Sequence, residues 1–157
     1  LPNIFIKCKR EKINFKIIQQ CIKGQNEELK DIYDSNNIES ELFNFSFDIT
    51  EYYQKADLAI SRAGSSALSE LLYCKIPIIA IPLESSADNH QKKNAKYFEK
   101  KGFCNHIEEE EIDIKLFNFI NLAYKDNSIL EKIIKNQNNH DDGDVFNNIN
   151  KELKDFI

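Results

Sequence analysis

The chain has no uninterrupted apolar run near the roughly 18 residues that a membrane-crossing helix needs. It has no C-x-x-C pair either. Its cysteines, Cys8, Cys21, Cys74 and Cys104, are widely and irregularly spaced. That spacing argues against a disulfide framework or a zinc site and predicts reduced cytosolic thiols. His90, His106 and His140 lie far apart in sequence, so no metal is expected. There is no G-x-S-x-G, Walker A or G-x-G-x-x-G motif, and no internal repeat. Leu1 to Arg10 is short of apolar length and soon becomes basic, which reads against a signal peptide. Arginine is nearly absent: only Arg10 and Arg62 occur. The net charge of −5 supplies no general attraction for nucleic acid, and none is expected as a partner.

What is present is enough for one domain with a real core, at 157 residues. The stretch Ala56–Gln91 organises it. Two short apolar runs, Leu58–Ile60 and Ile78–Ile81, each end in small or polar residues. Each is followed by helical spacing, as in two strand–loop–helix units of a buried parallel sheet. Leu1-Pro2 leads at once into the latter part of a helix. Further strands are predicted over Phe15–Gln20, Glu41–Phe45, Leu58–Ser61, Pro77–Ile81 and Phe103–Ile107. Helices are predicted over Asn26–Asn36, Ala67–Cys74, Asp88–Lys101, Ile112–Tyr124 and Asn127–Asn136, with a short one from Asp48 to Lys55. Gln137–Asp144 reads as a polar loop, and Asp144–Ile157 as a last helix with Val145, Ile149, Leu153 and Phe156 on its apolar side. The Glu108–Glu111 run reads as a solvated helix start. The alternation predicts an α/β fold, a Rossmann-like parallel sheet with helices on both faces.

In such sheets ligands bind beyond the carboxyl ends of the strands. Two segments fall there: Arg62-Ala63-Gly64-Ser65-Ser66 and Glu84 to Gln91. Gly64 permits close backbone approach, and the free N–H groups of the helix that follows suit a phosphate or pyrophosphate. An ordinary strand–helix turn capped by Ser65 or Ser66 gives the same pattern. Glu70, five residues into that helix among Leu68, Leu71 and Leu72, is either a ribose-diol acceptor or a surface carboxylate. Asp88 is a natural N-cap, with Asn89, His90 and Gln91 around the next turn able to meet sugar hydroxyls or solvent. His90 has no nucleophile spaced to pair with it.

Together these residues resemble a known family. Ala56-Asp57-Leu58, Ser61-Arg62-Ala63-Gly64, Ser69-Glu70-Leu71, Pro77, Pro82, Asp88-Asn89-His90-Gln91 and Asn94-Ala95 are similar to the C-terminal half of the MurG glycosyltransferases, most of all alphaproteobacterial members. Ile17 to Cys21, Tyr33 and Phe45–Asp48 extend the likeness upstream, so it covers about residues 1–125. The resemblance implies the C-terminal domain of a GT-B glycosyltransferase. The activity it implies is inverting transfer of N-acetylglucosamine (GlcNAc) from UDP-GlcNAc to lipid I, forming lipid II in peptidoglycan synthesis. It implies a donor site at Gly64, Ser65, Ser66, Ala67, Leu68, Ser69 and Glu70, with Glu70 on the ribose. Asp88 and Gln91 fall on the sugar side, and the segment near Ser46 on the uracil. No cofactor is implied. Where the family often has Thr, this chain has Ala67, so one hydroxyl contact is absent. The family's N-terminal acceptor domain, with its candidate base and lipid I surface, has no counterpart here. Nor do the first strand and glycine loop of the C-terminal domain. Single-domain residues 1–157, inactive alone, are therefore expected to be the donor half of a protein peripheral to the cytoplasmic face of the inner membrane. A split UDP-GlcNAc transferase with a free-standing donor subunit, and a non-catalytic remnant of the fold, are the competing readings.

Overall fold

The computed structural model describes residues 1–140. The helix predicted over Asp144–Ile157 lies outside them. Apolar spacing gives the order α1 (Pro2–Arg10), β1 (Lys16–Gln20), α2 (Asn26–Ser35), β2 (Glu39–Phe43), α3 (Thr50–Tyr53), β3 (Ala59–Arg62), α4 (Ser65–Tyr73), β4 (Ile78–Ile81), α5 (His90–Lys100), β5 (Cys104–His106), α6 (Ile112–Lys125) and α7 (Ser128–Asn138). Every predicted element within residues 1–140 is present. No boundary is off by more than two residues: α3, α4, α5 and α7 each differ by two at one end or both, and β2 begins and ends two residues earlier than expected, leaving Phe45 with Ser46 in the turn that follows.

All pairings are parallel. β4 is central in the order β3–β4–β5 and buried at all four positions. Its period of two divides those residues between two faces. Ile78 and Ala80 pack with Leu68, Leu71, Ala95 and Phe98, from α4 and α5. Ile79 and Ile81 pack with Ile4, Cys8 and Leu116, from α1 and α6. Helices therefore cover both faces, which is why the strand reads as an unbroken apolar run. Full burial of one such side chain stabilises by roughly 1.5–3 kcal/mol.

The ladder is divided. β1 pairs only with β2, and β3 pairs with β4 but not with β1. Among the described residues each of β1 and β3 thus keeps an unpaired edge. What joins the two sheets is side-chain packing: Phe15 belongs both to the core under α1 and α6 and to the cluster around Ile17, Tyr33 and Ile38. The four cysteines are free, and burial pushes the Cys104 thiol up to about 12.

Gln137 is not the start of a polar loop. It is fully buried near the end of α7, and its amide donates to the carbonyls of Ile76 at 2.8 Å and Phe103 at 3.0 Å. Lys75 donates to the Gln137 carbonyl at 2.9 Å, and Asn136 to the Gly102 carbonyl at 3.2 Å. α7 thereby ties down the turns that enter β4 and β5. Gly102 has φ +74, and a Cβ there would lie 2.3 Å from the Asn136 amide nitrogen. Gly102→Ala should therefore lower unfolding free energy by about 1–2 kcal/mol, read as a fall in the urea midpoint at constant slope.

Candidate functional site

The carboxyl ends of β3 and β4 lie side by side, with Arg62 opposite Ile81. Gly64 is the residue before α4, and it is extended (φ −67, ψ 138), a conformation open to any residue. Its glycine is therefore not needed for a left-handed turn. A Cβ there would meet nothing within 4 Å, so the missing side chain keeps the approach to the helix start open. No side chain caps α4, so neither Ser65 nor Ser66 is the cap that the sequence suggested. The first-turn N–H groups keep their positive end free for an anion.

Ser65, Ser66, Ser69 and Glu70 are exposed and Ala67 half-buried. Leu68 is different: it is fully buried among Leu71, Leu72 and Ile78, and its N–H bonds the Gly64 carbonyl at 3.0 Å. Its side chain supports the loop from beneath and faces the core, unlike those of the other residues placed in the sequence-based site. The helical period turns it inward between half-buried Ala67 and exposed Ser69.

Glu70 accepts a hydrogen bond from the Tyr53 hydroxyl at 3.2 Å. Burial, and then the Glu70 carboxylate, push the Tyr53 phenol up to about 12, so it stays a neutral donor. Tyr53 was missed in the sequence because its partner lies 17 residues away. It ends α3, the helix that follows the Ser46 turn. There Ser46 Oγ donates to the Asp48 carbonyl at 2.8 Å and accepts the Asp48 N–H at 3.1 Å. The Asp48 carboxylate accepts the Thr50 N–H at 2.9 Å and the Thr50 hydroxyl, which together hold it below the usual carboxylate range. The Ser46 hydroxyl is thus committed to its own turn. What the turn presents outward is backbone and the exposed rings of Phe45 and Phe47, whose centroids are 5.1 Å apart.

The second segment departs from the prediction. Asp88 does not cap a helix. Ala87–Asn89 forms a 3₁₀ turn in which Asp88 and Asn89 are both left-handed (φ 49 and 54), and α5 begins only at His90. Asp and Asn tolerate that region better than other side chains. His90 Nδ1 lies 2.7 Å from the Ala87 carbonyl. Gln91 is half-buried, and its amide oxygen accepts the Leu83 N–H at 3.0 Å. That bond engages the amide oxygen and not the NH₂ group. Asn94 donates to the Ala63 carbonyl at 3.1 Å, binding α5 to the loop before α4. Glu70, Gly64 and Gln91 therefore belong to one connected arrangement. A cavity of about 410 Å³ lies elsewhere, between α4 and α5, where Ser69, Tyr73 and Tyr97 line it; Gly64, Glu70 and Gln91 do not.

Arg62 runs across the strand ends. It donates to Glu109 Oε1 at 2.8 Å and lies 3.5 Å from the Pro82 carbonyl. Glu108 pairs with Lys92 at 2.8 Å, and His106 Nε2 lies 3.5 Å from the same carboxylate. The acidic run is thus not merely solvated. Among the described residues no group of His, Cys, Asp and Glu could hold a metal ion.

Residues 4–149 match the model of the glycosyltransferase family 28 C-terminal domain. The chain belongs to that family. The family 28 domain is 41% identical over 144 residues to a protein of Pelagibacter ubique (strain HTCC1062). That relative is named UDP-N-acetylglucosamine--N-acetylmuramyl-(pentapeptide) pyrophosphoryl-undecaprenol N-acetylglucosamine transferase. The match covers 90% of this chain and 40% of the relative. A protein of Rickettsia felis (strain ATCC VR-1525 / URRWXCal2) with the same name is 42% identical over 118 residues, covering 72% of this chain and 33% of its own length. The fold is similar to the crystal structure of Acinetobacter baumannii MurG, with a TM-score of 0.73 at 22% identity over 88% of this chain and 40% of that one. The resemblance to MurG read from the motifs stands, and with it the α/β fold of a GT-B C-terminal domain. The family 28 domain described here spans about 40% of the length of such relatives.

Proposed function

We propose that this chain binds UDP-GlcNAc and forms the donor half of a transferase that moves GlcNAc to lipid I, giving lipid II. The observation that carries the reading is the uncapped start of α4 behind Gly64, with Glu70 exposed on the same helix and α5, which carries Gln91, bonded through Asn94 to the loop before α4. The diphosphate would lie at the α4 N-terminus, where N–H groups and the helix dipole favour anionic charge. Glu70 would accept from the ribose hydroxyls, and the Gln91 amide would donate to the sugar. Backbone of the Ser46 turn would meet the uracil. Ala67 lacks the hydroxyl that the family often has there, so the phosphate contacts would be mostly backbone.

In the reaction the acceptor 4-hydroxyl attacks the anomeric carbon, the bond to the diphosphate oxygen breaks, and UDP leaves with inversion. The α4 start would stabilise the charge that develops on UDP. The base that takes the hydroxyl proton would come from an acceptor domain, which would also hold lipid I and provide peripheral contact with the cytoplasmic membrane face. Among the described residues no helix is long and apolar enough to cross a membrane. The unpaired edges of β1 and β3 support a further strand between them, carrying the family's glycine loop.

Titration of the chain with UDP-GlcNAc, with UDP-glucose and UDP as controls, tests this. Saturable binding is expected, weak and favouring the GlcNAc donor, with no turnover of lipid I by the chain alone. Gly64→Ala should fold normally, because its φ and surroundings accept a Cβ, yet bind about tenfold more weakly by crowding the diphosphate. No saturable response at millimolar donor overturns the reading.

A further inference from the structure

The first two residues of the Glu108–Glu111 run reach in different directions. Glu109 pairs with Arg62, two residues before Gly64, at 2.8 Å. Glu108 pairs with Lys92, the residue after Gln91, at 2.8 Å. Each pair keeps its carboxyl below the ordinary range, Arg62 acting on Glu109 and Lys92 on Glu108, so both stay ionised at neutral pH. The base of the run is fixed, because the Ile107 N–H bonds the Ala80 carbonyl of β4 at 3.0 Å. Both pairs are partly exposed, and pairs of that kind do little for stability. What they share is position: both segments that border the candidate site pair with one acidic run on the sheet, alongside the Asn94–Ala63 bond at 3.1 Å that joins them directly.

We propose that Glu108 and Glu109 form a two-pronged clasp that sets the distance between the phosphate-facing start of α4 and the sugar-facing Gln91. The inference rests on the donor-site reading above and deepens it. Nucleotide diphosphate alone needs only the α4 side. The GlcNAc group needs both sides at once, so the clasp acts on sugar recognition. Glu108 and Glu109 are positioning residues: they act through Lys92 and Arg62 on groups that touch the ligand. The fit is geometric, because a small displacement of Gln91 relative to α4 breaks a hydrogen bond to the sugar without touching the diphosphate.

The experiment compares UDP and UDP-GlcNAc binding by calorimetry for the wild-type chain, Glu109→Gln, Glu108→Gln and the exchange Arg62→Glu/Glu109→Arg. A thermal melt confirms folding of each. Both single variants should lose about fivefold or more in UDP-GlcNAc affinity while UDP affinity stays within about twofold, and the exchange should recover most of the loss of Glu109→Gln. Equal changes for the two ligands overturn the clasp. So does tighter binding of both by Glu109→Gln, which would make Glu109 a competitor for Arg62. If the wild-type chain binds UDP-GlcNAc and the variants match it, the clasp alone fails. If the wild-type chain binds neither ligand, the donor-site reading fails and the clasp with it.

Discussion

Glu70→Ala lowers the affinity of the chain for UDP-GlcNAc by about ten- to a hundredfold, the equivalent of losing a charge-assisted hydrogen bond of about 1.5–3 kcal/mol. The side chain is exposed and its hydrogen-bond partner among the described residues is the Tyr53 hydroxyl at 3.2 Å, so the substitution leaves the core intact. The loss should appear equally for UDP, because the ribose is common to both. Tyr53→Phe separates contact from orientation. It keeps the carboxylate but removes the group that steers it, and should weaken binding by only about threefold. Calorimetric titration of the two variants reads both. Unchanged affinity in Glu70→Ala would remove Glu70 from the site and leave the α4 start without its ribose partner.

Gln137→Leu should lower the unfolding free energy by about 2–3 kcal/mol. The side chain is buried and similar in size to leucine, so volume is not the issue. The substitution strips the donor from two carbonyls of buried residues, Ile76 at 2.8 Å and Phe103 at 3.0 Å. The partial gain is that the Gln137 amide oxygen, buried without a partner among the described residues, is also removed. Asn138→Ala, at the next and exposed position, should stay within about 0.5 kcal/mol of wild type. Urea unfolding compares them. Because α7 ties the turns at the entry ends of β4 and β5, away from the candidate site, the folded Gln137→Leu variant should retain donor affinity. An equal effect in both variants would show that α7 is held by its apolar stripe alone.

Period and end signals made most of the architecture legible. Ile78–Ile81 reads as a strand covered on both sides, because its short apolar run is unbroken between Pro77 and Pro82. Leu29, Ile32 and Tyr33 had to share a helix face, and they do, packing against Ile17 and Ile38. The motif residues were legible as a set, and the family match over residues 4–149 agrees with them. Individual roles within the set were less so. Leu68 stood in the motif but faces the core. Asp88 carries the side chain of a cap but sits in a left-handed turn, because the Asn89 N–H bonds the Ser86 carbonyl at 3.0 Å and closes the chain there first.

By itself, then, the sequence determined the order of strands and helices, the burial of the central strand, and the carboxyl-end loops where chemistry would gather. These depend on residues within a few positions of one another, which periodicity and capping preferences report directly. Only the tertiary structure decided that the ladder breaks between β1 and β3, that Tyr53 holds Glu70, that Gln137 is a buried donor, and that an acidic run grips Arg62 and Lys92. The Arg62–Glu109 pair spans 47 residues of chain, and the Gln137–Ile76 bond spans 61. Partners that distant meet only once the sheet has brought the loops together, and their one-letter codes look the same whether they meet or face water.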